Sequence, residues 1–361
     1  MSKMMSINTN RFAEGGGAAF APLAVLFAFG AGLRHLCFNL GFFRAYRSSL
    51  LTISVGGLTA GGAGKTPVAE WIIQQIIEQG LRPALLSRGY KRALSVPFIR
   101  KVNTEVHWEV LGDEPAMMLA HGFDIPMGIA GDRVWSSREI EGQKLANVLV
   151  LDDGFSHRRL ARDLDIVVLN GDRPFGNGHF LPWGTLREAK SSLKRADCVC
   201  VVGGVKEEGD KVRLKHQSRK YSGKALLVFL TQKFRGFAHC GTLYPSLPDG
   251  SFVLVSGIAR PQRFYEMLEG LGVTIKGRLE FSDHHFYSDQ EVQEIVEAVR
   301  NPESYVLTTA KDWVRLSHRL PSEKVWVADL ELVPEEGGAE FEGLIRSMIA
   351  SYRETALHKE G

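Results

Sequence analysis

Cysteine is scarce. The chain has 361 residues and only four cysteines, Cys37, Cys198, Cys200 and Cys240. That excludes a disulfide-built scaffold and makes a reducing compartment the default. An excess of one charge is also missing. Lys and Arg number 44 against 41 Asp and Glu, a net charge of +3. Nothing chain-wide points to nucleic acid, so any basic surface is local. An apolar content of 44% with 24% charged residues excludes a polytopic membrane protein and a largely disordered chain. The length suggests about two domains, each with ample core.

A long uniform membrane span is absent near the amino end. Residues 18–33 carry no charge, but at 1.5 Å per residue they make a helix of about 24 Å, short of the ~30 Å hydrocarbon core. Gly30 and Gly32 weaken it further. Beyond it, Leu33, Leu36, Cys37, Leu40 and Phe43 recur at helical spacing, with Arg34, His35 and Asn39 elsewhere on the wheel. Arg44 and Arg47 follow. Three readings are open: a cleaved signal peptide, a helix that covers the core, and a helix lying in a membrane interface with its arginines near anionic headgroups. Secretion would strand the nucleotide chemistry described next away from ATP, and the interface reading is the expectation.

Glycine is plentiful, at 38 residues, and it clusters where phosphate chemistry needs it. An apolar β-branched run, 51–55, predicts a buried strand. A glycine-rich turn follows, then Gly64-Lys65-Thr66-Pro67 and a helical pattern through Val68, Trp71, Ile72, Ile76 and Ile77, ended by Gly80. Strand, glycine loop, Gly-Lys-Thr and helix form the P-loop context. Backbone N–H groups of Gly61, Gly62, Ala63, Gly64, Lys65 and Thr66 would cradle the phosphates of ATP. Lys65 would reach the β/γ-phosphates, and Thr66 would place its hydroxyl on Mg²⁺. Thr59 stands where the pattern usually has its first glycine, so Gly61 and Gly62 supply the turn. An apolar strand, 148–151, ends in Asp152-Asp153-Gly154, a Walker B reading with Asp152 on the metal.

Further strands are predicted at 84–87, 125–130, 166–169 and 198–202, alternating with helices. This implies an α/β, P-loop NTPase-like fold with a doubly wound, mostly parallel sheet and the ligand at the strands' carboxyl ends. Cys198 and Cys200 lie two apart in one strand and read as packing. A second, smaller α/β domain is predicted from strands at 252–256 and 306–309 and helices at 261–271 and 288–299. The expected divisions are 1–48 (membrane-interface helix), 49–224 (P-loop kinase domain), 225–328 (smaller domain) and 329–361, a segment whose helix near 339–351 returns to the first domain.

A guanine-reading Asn-Lys-x-Asp is absent. The nearest string, Thr309-Ala310-Lys311-Asp312, sets Lys and Asp side by side. A kinase and a nucleotide-switch or chaperone ATPase remain. Other strings suit either chemistry or plain structure. Asp113 and Glu114 begin a helix and could act or cap it. His284 and His285 follow Asp283 and could be an oriented base or solvated. Arg158 and Arg159 could bind an anionic substrate group, or the run to Arg162 could pair with Asp163 or Asp165.

The ordered set of Val55–Pro67, Ser87-Arg88-Gly89-Tyr90, Gly112-Asp113-Glu114-Pro115, the run from Asp152 to Ile166, Leu186-Arg187-Glu188 and Asp283-His284-His285-Phe286 resembles the tetraacyldisaccharide 4'-kinase family over nearly the whole chain. The resemblance implies ATP-dependent phosphorylation of the 4'-hydroxyl of a tetraacylated glucosamine disaccharide 1-phosphate in lipid A biosynthesis. It implies Mg²⁺ and work at the cytoplasmic face of a Gram-negative inner membrane. The partners it implies are the acylated lipid substrate and the membrane surface, with no nucleic acid and no obligate protein partner. It also implies Lys65 and Thr66 as the P-loop pair, Asp152 and Glu114 as metal-side acids, Asp113 as base and His284 as its assistant, with His285 adjacent in register. Tyr90 and Arg187 match positions linked to substrate handling. Ser156, Gly57 and Trp183-Gly184-Thr185 depart from the pattern.

Overall fold

The computed structural model describes residues 18–90, 92, 96–204, 208–258 and 261–360. The residues before Ala18, where a cleaved signal peptide would begin, lie outside them. The chain opens with α1 (Ala21–Asn39), longer than the uncharged stretch alone predicts. At 1.5 Å per residue it measures about 28 Å. Ala24 is its one buried residue, and Leu23, Leu26, Phe29, Leu33, Leu36 and Leu40 are exposed. A helix that merely covered the core would bury that face, so the core-covering reading does not hold.

The first lobe follows: β1 (Leu51–Gly56), α2 (Lys65–Glu78), β2 (Pro83–Ser87), β3 (Phe98–Arg100), α3 (Trp108–Leu111), α4 (Asp113–Ala120), β4 (Met127–Ile129), α5 (Arg133–Gly142), β5 (Val148–Asp152), β6 (Leu164–Asn170), β7 (Cys198–Val202) and α6 (Glu208–Ser222). The chain enters the second lobe through β8 (Leu226–His239) and continues as β9 (Thr242–Tyr244), β10 (Ser251–Ser256), α7 (Pro261–Gly270), β11 (Ile275–Glu280), α8 (Asp289–Ala298), β12 (Ser304–Thr309) and α9 (Ala310–Leu316). It leaves through β13 (Val325–Glu336) and ends in α10 (Gly338–Glu360).

All strands join one sheet in the order β11-β10-β12-β13-β8-β7-β6-β1-β5-β2-β4-β3, with β9 beside β8. Neighbours run parallel except β3 on β4, β13 on β8 and β9 on β8. Strands covered on both faces need apolar side chains in both directions, which explains the unbroken runs in β5 and β7, while β1 alternates Leu51, Ile53 and Val55 with the buried hydroxyls of Thr52 and Ser54. Along β5, Val148 and Val150 pack on the face covered by α2 and α10. Leu149 and Leu151 pack on the other, with Val134 and Ile140 of α5. Cys198 and Cys200 are free thiols buried on the first of these faces, as packing residues. In α10, Phe341, Ile345 and Ile349 join that core, and the Phe341 ring stacks on Trp71 of α2 at 4.9 Å. The second lobe packs Phe264, Tyr265 and Leu268 of α7 on one face of its strands and Val292 and Ile295 of α8 on the other.

Candidate active site

β1 sits between β6 and β5 at the centre of the first lobe, so the loop that follows it opens at the carboxyl edge of the sheet. Gly64 turns that loop into α2 with φ +83°, and a Cβ there would meet Val202 at 2.9 Å. Only glycine combines that backbone with so close an approach. Pro67 falls in the first turn of α2, where its missing N–H costs little. Lys65 curls back, its Nζ donating to the Gly61 carbonyl at 3.3 Å and standing 3.7 Å from Asp153 Oδ1. A second segment braces the loop. The Leu58 carbonyl accepts from the N–H groups of Arg187 (2.7 Å) and Glu188 (3.2 Å), and the Ala60 N–H donates to the Thr185 carbonyl at 2.7 Å.

The register Val55↔Asp152 sets the β5 acids level with the end of β1. Burial, reinforced by the charges of Glu114 and Asp153, pushes the Asp152 carboxyl up to about 8 against the opposing pull of Lys65. Its Oδ1 has no hydrogen-bond partner among the described residues. Glu114 is raised too, by burial and then by Asp113. Asp153 behaves oppositely. Burial alone would raise it, but bidentate hydrogen bonds from Arg187 (2.7 and 2.6 Å) and the Lys65 charge hold it at about 2.

A third cluster is shared between the lobes, with Asp113 from the first and His284 and Arg315 from the second. Gly112, at φ +88°, packs against Gly89 so tightly that a Cβ would lie 2.9 Å from the Gly89 Cα. This contact joins the Ser87–Tyr90 string to the Asp113 helix. Asp113 does not cap α4. Its Oδ2 meets His284 Nδ1 at 2.5 Å, and Arg315 of α9 binds both its oxygens at 2.9 and 2.5 Å. Burial would raise Asp113, but the hydrogen bonds from His284 and Arg315 hold it at about 2. His284, not His285, faces Asp113. His285 turns to Glu291 at 3.0 Å. The Tyr90 ring stands edge-on to His284, 5.6 Å between centroids. Lys311 holds the adjacent Asp283 at 2.5 Å.

Lys65, Asp113, Glu114, Asp152, Asp153, Arg187, His284 and Tyr90 therefore belong to one connected cluster. Among the described residues, Arg158 and Arg159 make their contacts elsewhere. Arg158 donates to His35 and Asn39 of α1 and lies over the Phe38 ring. Arg159 is exposed, 3.7 Å from Asp132. Arg162 makes the plain ion pair with Asp165 at 2.9 Å. Sequence reasoning missed Arg315. The string Thr309–Asp312, weighed above only as a guanine reader, was the available signal. Asp312 is buried, accepts from Tyr287, Thr309 and the Gly257 N–H, and stands one helical turn before Arg315.

A glycine loop between a central parallel strand and a helix, with its lysine among strand-end carboxyls, defines a P-loop nucleotide-binding protein of the phosphoryl-transfer class. Comparison with known proteins narrows the class. The profile of the tetraacyldisaccharide-1-P 4'-kinase family, LpxK, matches residues 17–350. Tetraacyldisaccharide 4'-kinase of Desulfotalea psychrophila is 36% identical over 303 residues, 82% of this chain and 86% of its own length. That of Shewanella pealeana is 34% identical over 277 residues, 77% and 79% respectively. A crystal structure of LpxK from Aquifex aeolicus in complex with ATP aligns with a TM-score of 0.75 at 26% identity, covering 92% of this chain and 99% of that one. The chain belongs to the tetraacyldisaccharide 4'-kinase family.

Proposed function

We propose that this chain transfers the γ-phosphate of ATP to the 4'-hydroxyl of a tetraacylated glucosamine disaccharide 1-phosphate in lipid A biosynthesis, working at the cytoplasmic face of the inner membrane. The observation that carries the reading is the meeting of phosphate loop and acids: Lys65 Nζ stands 3.7 Å from Asp153 Oδ1, the β5 acids lie level with the end of β1, and Asp113, next to Glu114, is held by His284 and Arg315.

Loop N–H groups and Lys65 bind the triphosphate and stabilise charge on the transferring group. The acceptor hydroxyl lies against Asp113. A carboxylate held at about 2 is ionised at any working pH, so it is always in the accepting form. It is a weak base, which suits a loose transition state in which the hydroxyl proton leaves late. Arg315 and His284 fix the plane of that carboxylate, and Tyr90 buttresses the His284 ring. Arg187 and Lys65 keep Asp153 ionised beside the loop.

The acids also fit Mg²⁺. Burial raises both the Asp152 and the Glu114 carboxyls, the Glu114 charge adds to the rise of Asp152, and among the described residues Asp152 has an oxygen without a hydrogen bond. Magnesium takes hard oxygen donors, one or two carboxylates with phosphate and water completing its shell. Asp152, Glu114 and the Thr66 hydroxyl would hold it, and when bound it would supply positive charge against the triphosphate.

The acyl chains hold the substrate in the bilayer at ~0.8 kcal/mol per buried CH₂, so the enzyme must go to it. The exposed apolar face of α1 supports that location. The test incubates purified protein with labelled ATP and the tetraacyl disaccharide 1-phosphate in detergent. A bis-phosphorylated lipid is expected, with Lys65→Ala and Asp113→Ala each lowering kcat by about 10² or more. Nucleotide hydrolysis without lipid product from the wild-type protein refutes the reading.

A further inference from the structure

We propose that His35 is a positioning residue: through Glu188 it sets the height of the N-terminal helix against the phosphate loop, and so the reach from a bilayer-held sugar hydroxyl to the transferring phosphate. This rests on the lipid-kinase reading above.

The helix is otherwise attached by aromatic contacts that tolerate sliding and by Arg158, which donates to Asn39 Oδ1 at 2.9 Å and to the His35 carbonyl at 3.2 Å. Phe27 meets Phe180 at 6.3 Å between ring centroids, and Arg158 lies over the face of Phe38. His35 is different. Arg158 donates to its Nδ1 at 3.2 Å, so the proton sits on Nε2, which donates to Glu188 Oε2 at 2.5 Å. The ring is thus gripped at both nitrogens. The Glu188 side chain is only 2% exposed and is also held by Ser192 at 3.1 Å and Arg195 at 3.4 Å. Burial alone would raise this carboxyl, and His35 and Arg195 instead hold it low and ionised. The bond to His35 is therefore charge-assisted and directional.

Glu188 is not a remote anchor. Its N–H and that of Arg187 share the Leu58 carbonyl, and Leu186 bridges Thr59 in the same loop. The two consecutive side chains then diverge. Arg187 reaches Asp153 beside Lys65, and Glu188 reaches the membrane helix. One short segment lies on the phosphate loop and grips α1. A slip of one helical turn would move the helix about 5.4 Å, whereas phosphoryl transfer needs the reacting atoms about 3–3.5 Å apart.

The test compares His35→Ala and His35→Gln with the wild-type protein, using vesicles that carry the tetraacyl disaccharide 1-phosphate. Gln can accept from Arg158 and donate to Glu188, as the ring does. For His35→Ala, kcat is expected to fall about tenfold or more, with nucleotide affinity by calorimetry and vesicle flotation within about twofold, while His35→Gln recovers to within about threefold. Glu188→Gln, which keeps the shape without the charge, provides a second variant, with the same selective loss of kcat expected. An active wild-type protein with His35→Ala within twofold of its kcat overturns the proposal alone. So does a loss that tracks the unfolded fraction and is not rescued by Gln. A wild-type protein that makes no lipid product overturns the kinase reading and this one with it.

Discussion

Replacing Arg315 by Met removes a guanidinium while keeping most of its volume. The Arg315 and Asp113 side chains are 1% and 5% exposed, and they join α9 of the second lobe to α4 of the first. Two routes give the size of the loss. Asp113 lies at about 2 against an ordinary 3.8. At ~1.36 kcal/mol per unit that is about 2.5 kcal/mol, of which His284 supplies a part. Stranding a buried carboxylate without its partner costs about 3–5 kcal/mol. A deficit of about 2–4 kcal/mol at neutral pH follows, or on the order of 5 °C in Tm by calorimetry. Because the Asp113 pKa is depressed in the folded state, its stabilisation is present above the ordinary carboxylate pKa and lost as pH falls through about 2. The deficit should therefore be full at neutral pH and narrow in acid. Asp113→Asn combined with Arg315→Met leaves one fewer charge stranded and should recover about half of it. A deficit below about 1 kcal/mol, or one that is the same at pH 7 and pH 3, refutes the reasoning.

Two further outcomes can be measured directly. Asp152 lies at about 8, so loading Mg²⁺ with ATP must expel its proton. Apparent affinity should then fall by up to about tenfold per pH unit below that value, and Asp152→Asn should flatten the slope in titration calorimetry. Leu26, Phe29 and Leu33 are exposed on α1. Each stabilises membrane contact by roughly 1.5–3 kcal/mol when buried, so changing two to Gln should cut vesicle flotation by more than about tenfold. Unchanged flotation would exclude that face as the membrane contact.

The sheet of the first lobe was legible because parallel strands covered on both faces must be apolar throughout. The run at β7 predicts its observed bounds, Cys198–Val202. β11 was hidden for the opposite reason. It is an edge strand whose Lys276, Arg278 and Glu280 alternate outward, and its polar half reads as a loop. β8 was not predicted, since Gln232 and Lys233 are exposed in mid-strand and break its apolar run. In the candidate site, the phosphate loop is local and its glycines announce it. The Asp113–Arg315 pair is not, because 202 residues separate the partners. Likewise the charge of Arg158 was plain, but not its direction, which depends on where α1 comes to rest.

The two long strands β8 and β13 have a practical consequence. Each belongs to both lobes, and they pair with one another along most of their length. Cutting the chain between the lobes would leave raw edges on both pieces, β7 without a neighbour on one side and β12 on the other. The halves cannot be expressed separately as intact folding units, and heating the whole molecule should give a single endotherm.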